Sequence, residues 1–430
     1  MSKASFVISG PFDTYSGYGA RARDLAKVIV ESNKYDVKLL PQRWGNTPWG
    51  FIDENPEWKF LEELFIPNLT QQPDVWAQVT IPNEFQTIGK YNIGFTAGIE
   101  STLCPADWLE GINRMNTTFV SSKFSKKVFE DTTYTVKDNR IGQPIKELKL
   151  ERPIEVLFEG VDTNIYSPTG EVQEHKLDLS NIEEDFVFLF VGSWLPGDFG
   201  EDRKNIGTLI KAFCETFKYK NNQPALVLKT SYAGTSYIDK QAILEQIESI
   251  RSTVKGGTIP NIYLLYGDFN DKEINALYND EKIKAMVSLT KGEGFGRPLL
   301  EFSTTGKPII TTNWSGHLDY LKTRYNVLLK GSLKNIHPSA ANKWLLQEAR
   351  WFNVNIQEVN KYLKDIYNNY NTYKSKASNQ ARITNTEFTL EKMGEVLLSR
   401  LDTLIPTFPK KVELNLPSLK KLTLPTLKKI

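Results

Sequence analysis

Gly292-Glu293-Gly294-Phe295-Gly296-Arg297-Pro298-Leu299-Leu300-Glu301 follows a strand-like run, Ala285–Leu289, and leads into a helical stretch over Leu299–Thr305. Pro298 suits the first turn of a helix, where no backbone N–H is required. A glycine-bearing loop that opens a helix at the end of a parallel strand lets backbone amides and the helix dipole approach an anion, and a diphosphate suits such a place. Two acids flank the loop, with seven residues between them. Glu293 stands before the helix, near where a sugar carried on the phosphate would sit. Glu301 is placed in the first helical turn, able to accept from paired hydroxyls. As a loop group, Glu293 is expected to have little role in core packing. From Gly-x-Gly alone, a glycine-rich turn followed by a solvated helix face is the favoured reading.

Working outward, the chain alternates strand-like and helical runs in two series. The first contains strands at Phe6–Ser9, Val37–Leu40, Tyr91–Phe95, Thr117–Ser121 and Glu155–Phe158. Between them are helical patterns from Ala22 to Ile29, at Ala106–Arg114 and at Ser125–Glu130. The second opens at Phe186–Val191, continues with a helix over Ile206–Phe217, and adds strands at Ala225–Lys229, Ile262–Tyr266, Ala285–Ser288 and Pro308–Thr311. Alternation of this kind predicts parallel sheets, hence an α/β chain of two doubly wound, Rossmann-like domains facing a cleft. The expected division is residues 1–170, residues 171–340, bracing helices over 341–405, and a basic tail over 406–430. Trp344, Leu345 and Ala349 are read with the helices. In the tail, Leu416–Thr423 is nearly repeated as Leu424–Ile430, and six lysines stand against Glu413 alone. The tail either folds back as a brace or lies on an anionic surface such as a membrane or a polyanionic acceptor.

The longer string around Glu293 resembles the Glu-x7-Glu signature of family-four glycosyltransferases. Phe158-Glu159-Gly160-Val161-Asp162-Thr163-Asn164-Ile165-Tyr166-Ser167-Pro168 is similar to that family's interdomain segment, with Glu159 where the family usually has Asn. Phe190–Ser193, Arg203-Lys204-Asn205 and Thr208–Phe213 resemble its basic loop and following helix, and Tyr266-Gly267-Asp268 with Leu277-Tyr278 its base-binding stretch. The resemblance implies a GT-B fold and a retaining glycosyltransferase that uses a nucleotide-diphosphate sugar as donor, with no separate cofactor. It gives Glu293 the donor-sugar hydroxyls and Glu301 the ribose, and assigns the leaving diphosphate to Arg203 or Lys204. The loop Trp194–Asp202 is longer than the family's and lacks its early arginine, so the choice between those two cations stays open. Gly17 and Gly19 resemble the N-terminal glycine loop near the diphosphate, an ordinary helix entry being the other reading. Glu100, in Gly98–Thr102, is a candidate acceptor contact. The expected catalytic set is Glu293, Arg203, Lys204 and Glu100. The expected donor contacts are Gly17, Gly19, Lys204, Gly294, Phe295, Gly296 and Glu301. His317 is open to a structural or a functional reading.

Composition narrows the alternatives. Net charge is only +2, so no global field draws the chain to nucleic acid or anionic lipid. Two cysteines, Cys104 and Cys214, and three histidines give neither a disulfide framework nor a zinc spacing. No metal site is expected, and a cytoplasmic setting fits, peripheral to a membrane only if the tail binds one. No signal-like or membrane-spanning run is read. A dehydrogenase is disfavoured because Gly10, Gly17 and Gly19 are wrongly spaced for a dinucleotide fingerprint. A sugar-nucleotide epimerase, a phosphorylase and a catalytically silent docking protein remain as competitors. The acceptor is left as a glycan, lipid, protein or nucleobase.

Overall fold

The computed structural model describes residues 3–137, 143–168, 177–232 and 235–409. The lysines of the tail, from Lys410 onward, lie outside these residues. In the first lobe six strands, β1 (Ser5–Gly10), β2 (Asp36–Pro41), β3 (Val75–Val79), β4 (Tyr91–Thr96), β5 (Thr117–Val120) and β8 (Ile154–Val156), form a sheet in the order β2-β1-β3-β4-β5-β8. Every neighbouring pair in it is parallel. A small antiparallel pair, β6 (Tyr134–Lys137) and β7 (Pro144–Leu148), stands beside it. Its helices are α1 (Gly17–Glu31), the short α2 (Phe51–Glu54), α3 (Ala106–Arg114) and α4 (Lys123–Asp131).

The second sheet runs β11-β10-β9-β12-β13-β14 and is parallel throughout. Its strands are β9 (Val187–Val191), β10 (Ala225–Lys229), β11 (Ile262–Leu265), β12 (Ile283–Val287), β13 (Ile309–Thr312) and β14 (Val327–Leu329). Helices α5 (Ile206–Phe217), α6 (Tyr237–Ser252), α7 (Asp271–Asn279) and α8 (Arg297–Ser303) connect them. Both sheets are covered on both faces, which is why their strands read as unbroken apolar runs. Phe188 and Phe190 enter one core with α5, while Val187 and Leu189 enter the opposite core with α8. In the first lobe Phe6 and Ile8 likewise face away from Val7.

Three features depart from the sequence reading. Val75–Val79 is a central strand that the pattern did not reveal. Residues 338–354 are not helical: β15 (Gly331–Asn335) and β16 (Arg350–Val354) form an antiparallel ribbon, and the loop between them carries Trp344 and Leu345. The Asn342 side-chain oxygen accepts from the backbone N–H groups of both Trp344 (2.8 Å) and Leu345 (3.0 Å), a local turn that competes with helix. Helices α9 (Ile356–Asn368), α10 (Tyr370–Glu387) and α11 (Leu390–Leu404) follow the ribbon. The last of these leaves the second lobe altogether.

Leu390, Met393, Leu397 and Leu401 of α11 sit in the core of the first lobe with Phe6, Ile8, Ala22 and Leu25. The chain thus crosses between lobes twice, and the crossings touch. Val161 N–H donates to Phe388 O (2.9 Å) and Leu390 N–H to Val161 O (2.8 Å). Among the described residues no helix is long and apolar enough to cross a membrane. Because Leu397 is fully buried, Leu397→Ala should cost about 2–5 kcal/mol, although it lies at the far end of the chain from the sheet it supports. Urea unfolding resolves this, and a change under about 0.5 kcal/mol would exclude α11 from that core.

Candidate active site

Loops at the carboxyl ends of parallel strands are where an open α/β sheet presents its chemistry. Three of them meet here: residues 97–105 after β4, 192–205 after β9, and 288–296 after β12. The first belongs to one lobe, the other two to the opposite lobe. They approach backbone to backbone, since a Cβ on Gly292 would fall 1.9 Å from Glu100 O and one on Gly294 would fall 2.4 Å from Ala97 O. Glycine at these two positions is a requirement of lobe closure.

All four expected catalytic residues converge there. Lys204 Nζ lies 2.5 Å from Glu293 Oε1 and Arg203 Nη1 3.2 Å from Glu293 Oε2. Arg203 also donates to Gly292 O (2.7 Å) and stands 3.8 Å from Glu100 Oε1. Both cations face Glu293. Burial pushes the Glu293 carboxyl up, but Lys204 and Arg203 outweigh it and bring the group down to about 2. Burial draws the Lys204 ammonium below its usual range while Glu293 holds it up. At 2.5 Å the two form an ion pair at neutral pH. Glu293 is itself only 7% exposed, although the sequence reading gave it little role in packing. Removing it would strand two buried cations.

A second charged cluster lies one helical turn on. Arg297 Nη1 is 2.6 Å from Asp24 of α1 and 3.8 Å from Glu159, and its Nε is 3.2 Å from Glu301. Asp24, Glu159 and Glu301 are all buried, so one guanidinium answers three carboxylates from both lobes. Glu301 is the fifth residue of α8, in its second turn and not its first. Burial raises its carboxyl to about 7, with Arg297 opposing and Asp271 adding to the rise. The stability tied to this protonation is full below the ordinary carboxylate range and is lost as pH rises through about 7. Sequence reasoning missed Asp24 and Arg297 as site residues; the only signal was an aspartate on the apolar face of a helix.

The remaining expected contacts divide. Gly17 and Gly19 are the first and third residues of α1, capped by Ser16, whose hydroxyl accepts from Gly19 N–H (2.9 Å). A Cβ on Gly19 would strike Thr14 O at 2.4 Å, whereas Gly17 faces open space. Gly19 thus serves its own turn, and only Gly17 leaves room for a ligand. Gly296 caps α8 at φ 91°, and Tyr320 Oη donates to its carbonyl (2.6 Å). Phe295 is 2% exposed against Tyr320, so it anchors the loop from the core and offers no ring to a donor. Tyr278, from the expected base-binding stretch, is likewise core, between Tyr166 and Phe302. His317 is fully buried, its Nε2 2.7 Å from Thr312 O, which fits a structural histidine. No group of three or more His, Cys, Asp or Glu side chains among the described residues is placed to hold a metal ion.

Residues 173–346 match the family model described as glycosyl transferases group 1. No curated protein matches the chain in sequence. Solved structures resemble it over nearly its whole length. A glycosyltransferase from Rickettsia africae is 13% identical with a TM-score of 0.60, over 94% of this chain and 99% of that one. Sucrose-phosphate synthase from Thermosynechococcus elongatus is 10% identical with a TM-score of 0.60, over 94% and 99%. Anabaena HepE, solved with UDP and glucose, is 13% identical with a TM-score of 0.56, over 93% and 100%. The two-lobed fold expected from the sequence, GT-B, is the fold they share with this chain.

The Arg297 cluster can be tested apart from any reaction. Arg297→Met should lower stability by about 3–5 kcal/mol, because three buried carboxylates lose their counter-ion. The deficit should be smaller at about pH 5 than at about pH 8, since protonation relieves the stranded acids. Urea midpoints at the two pH values measure both, and a pH-independent deficit would refute the charge assignment.

Proposed function

We propose that this chain, a glycosyltransferase whose residues 173–346 belong to the glycosyl transferases group 1 family, moves a sugar from a nucleotide-diphosphate donor to an acceptor hydroxyl, with retention and without a metal ion. The supporting observation is the pair of cations held on Glu293 at the closing face of the lobes. When the glycosyl–phosphate bond breaks, its electron pair passes to the phosphate oxygen. Arg203 and Lys204, already fixed, stabilise that charge as it develops, which is the part of binding that lowers a barrier. On arrival of the diphosphate the cations exchange partners, and Glu293 turns its oxygens to the sugar hydroxyls. Before the diphosphate arrives, the two cations hold its carboxyl at about 2, so it enters the reaction ionised, as an acceptor of hydrogen bonds. Retention puts the acceptor oxygen on the face from which phosphate departs, so the acceptor proton passes to the leaving phosphate oxygen. Glu301 accepts from the paired ribose hydroxyls. HepE was solved with UDP-glucose, which makes that donor the first to try.

Glu293→Gln should cut transfer by about 10²–10³ while keeping the neighbouring cations partly hydrogen-bonded. A product-formation rate within about threefold of the parent would sink the assignment. The first-formed product should keep the donor's α linkage by proton NMR, and EDTA should leave the rate unchanged. An inverted anomer, or loss of activity with chelator, would overturn the respective claim.

Donor affinity should depend on pH through Glu301. As pH falls through about 7 the carboxyl takes up a proton and loses an acceptor position, so nucleotide-sugar binding should weaken by roughly tenfold from about pH 8 to about pH 6. Nucleotide sugars keep a constant charge over that range, which assigns the change to the protein. Calorimetric titration of the parent and of Glu301→Gln, in which the slope should vanish, decides the point.

A further inference from the structure

Lys291 immediately precedes Gly292 and has had no part in the site so far, yet none of its side chain is exposed. A buried ammonium is costly unless something specific holds it. Two groups do. Its Nζ lies 3.1 Å from Glu201 Oε2 and 4.8 Å from the centre of the Trp351 ring, which is itself fully buried. The main chain of the same residue is fixed on both sides: its N–H donates to Arg203 O (2.7 Å), and its carbonyl accepts from Phe352 N–H (2.9 Å).

Lys291 thus grips the loop after β9 at two points that straddle Asp202, Glu201 through the side chain and Arg203 through the backbone. Elsewhere that loop is folded on itself. A Cβ on Gly197 would fall 2.6 Å from Asp202 N, and Asn205, at φ 56°, donates its N–H to Asp202 O (3.1 Å). Asp198 N–H donates to Ser339 Oγ (2.9 Å), which ties the other end of the loop to the ribbon connection. Arg203 and Lys204 leave this compact turn toward Glu293. An apolar side chain in place of Lys291 could fill the space beside Trp351, but it would leave Glu201 free to turn to solvent or to compete for the two cations two and three residues away. Since the Lys291 side chain is shut off from solvent, it cannot touch a substrate, and whatever it contributes passes through its neighbours.

We propose that Lys291 is a positioning residue, which holds Glu201 and the Arg203 carbonyl so that Arg203 and Lys204 stand ready for the sugar-bearing phosphate of the donor. The inference rests on the glycosyl-transfer reading of the Glu293 site. It adds a support made of Lys291, Glu201 and Trp351, which joins the loop after β12, the loop after β9 and the ribbon.

The full chain and its Lys291→Met, Glu201→Ala and doubly substituted variants are titrated calorimetrically with UDP, GDP and ADP, and with the monophosphate of whichever diphosphate binds the parent most tightly. Each single change should weaken that diphosphate by about tenfold, and the monophosphate, which lacks the sugar-bearing phosphate, by about twofold or less. The double variant should lose no more than about twofold beyond the weaker single one, because both changes break one contact. Glu201 has a side chain 36% exposed, so Glu201→Ala carries the test should Lys291→Met fail to fold. Equal losses for the diphosphate and the monophosphate would show a general structural role and overturn the proposal, as would a loss of roughly a hundredfold in the double variant. If no diphosphate binds the parent, the reading of the Glu293 site falls and this inference with it. If one binds and the variants match the parent, only the inference falls.

Discussion

The lobes meet with peptide against peptide, and a single methyl group at Gly292 or Gly294 would hold them apart. Everything assigned to the site follows from that contact. Glu100 belongs to one lobe and Arg203, Lys204 and Glu293 to the other, so the ionic cluster is complete only when the backbones touch. The same closure brings Asp24 of α1 to Arg297 of α8. Further along the same side Phe124 meets Trp314 at 4.7 Å, and Lys123 N–H donates to Asp319 (2.9 Å). The pair of chain crossings at Val161 and Leu390 closes the opposite side.

Such a site concentrates charge where water is scarce, and that has an electrostatic cost which only close pairing offsets. The two clusters meet it differently. Around Glu293 two cations face two carboxylates, Glu293 itself and, from the opposite lobe, Glu100. Around Arg297 one guanidinium bridges three carboxylates, with the buried Arg21 also acting on Asp24 and Glu159, and burial there raises the affinity of Glu301 for a proton.

How much of this could be read beforehand depended on whether the deciding contact is local. Phe186–Val191 reads as a strand because both faces of a parallel sheet are buried, and the Glu293 loop reads as a site because its glycines and acids are close in sequence. Val75–Val79 escaped because Gln78 breaks the apolar run. That polar group is satisfied within its own loop, donating to Glu84 O and accepting from Gln86 N–H. The ribbon escaped because Trp344 and Leu345 mimic helical spacing while Asn342 caps a turn beneath them. Asp24 and Arg297 are 273 positions apart, and no periodicity reports a partner at that distance. Glu293 stands out in the sequence as a candidate, but its burial does not, since burial is not encoded in a loop motif.

The return of α11 to the first lobe has a bearing on how the molecule is made. A ribosome releases the strands of that lobe long before it reaches Leu390, and at typical synthesis rates of about 5–20 residues per second the interval is roughly 10–50 s. Throughout it, the groove that later receives Met393, Leu397 and Leu401 stays uncovered beside Ala22 and Leu25. The first lobe to be translated is therefore the last to finish its core, and the intervening lobe matures while tethered to an incomplete neighbour. A nascent chain stalled anywhere before α11 would display an oily, sticky patch of its own and become a client for chaperones.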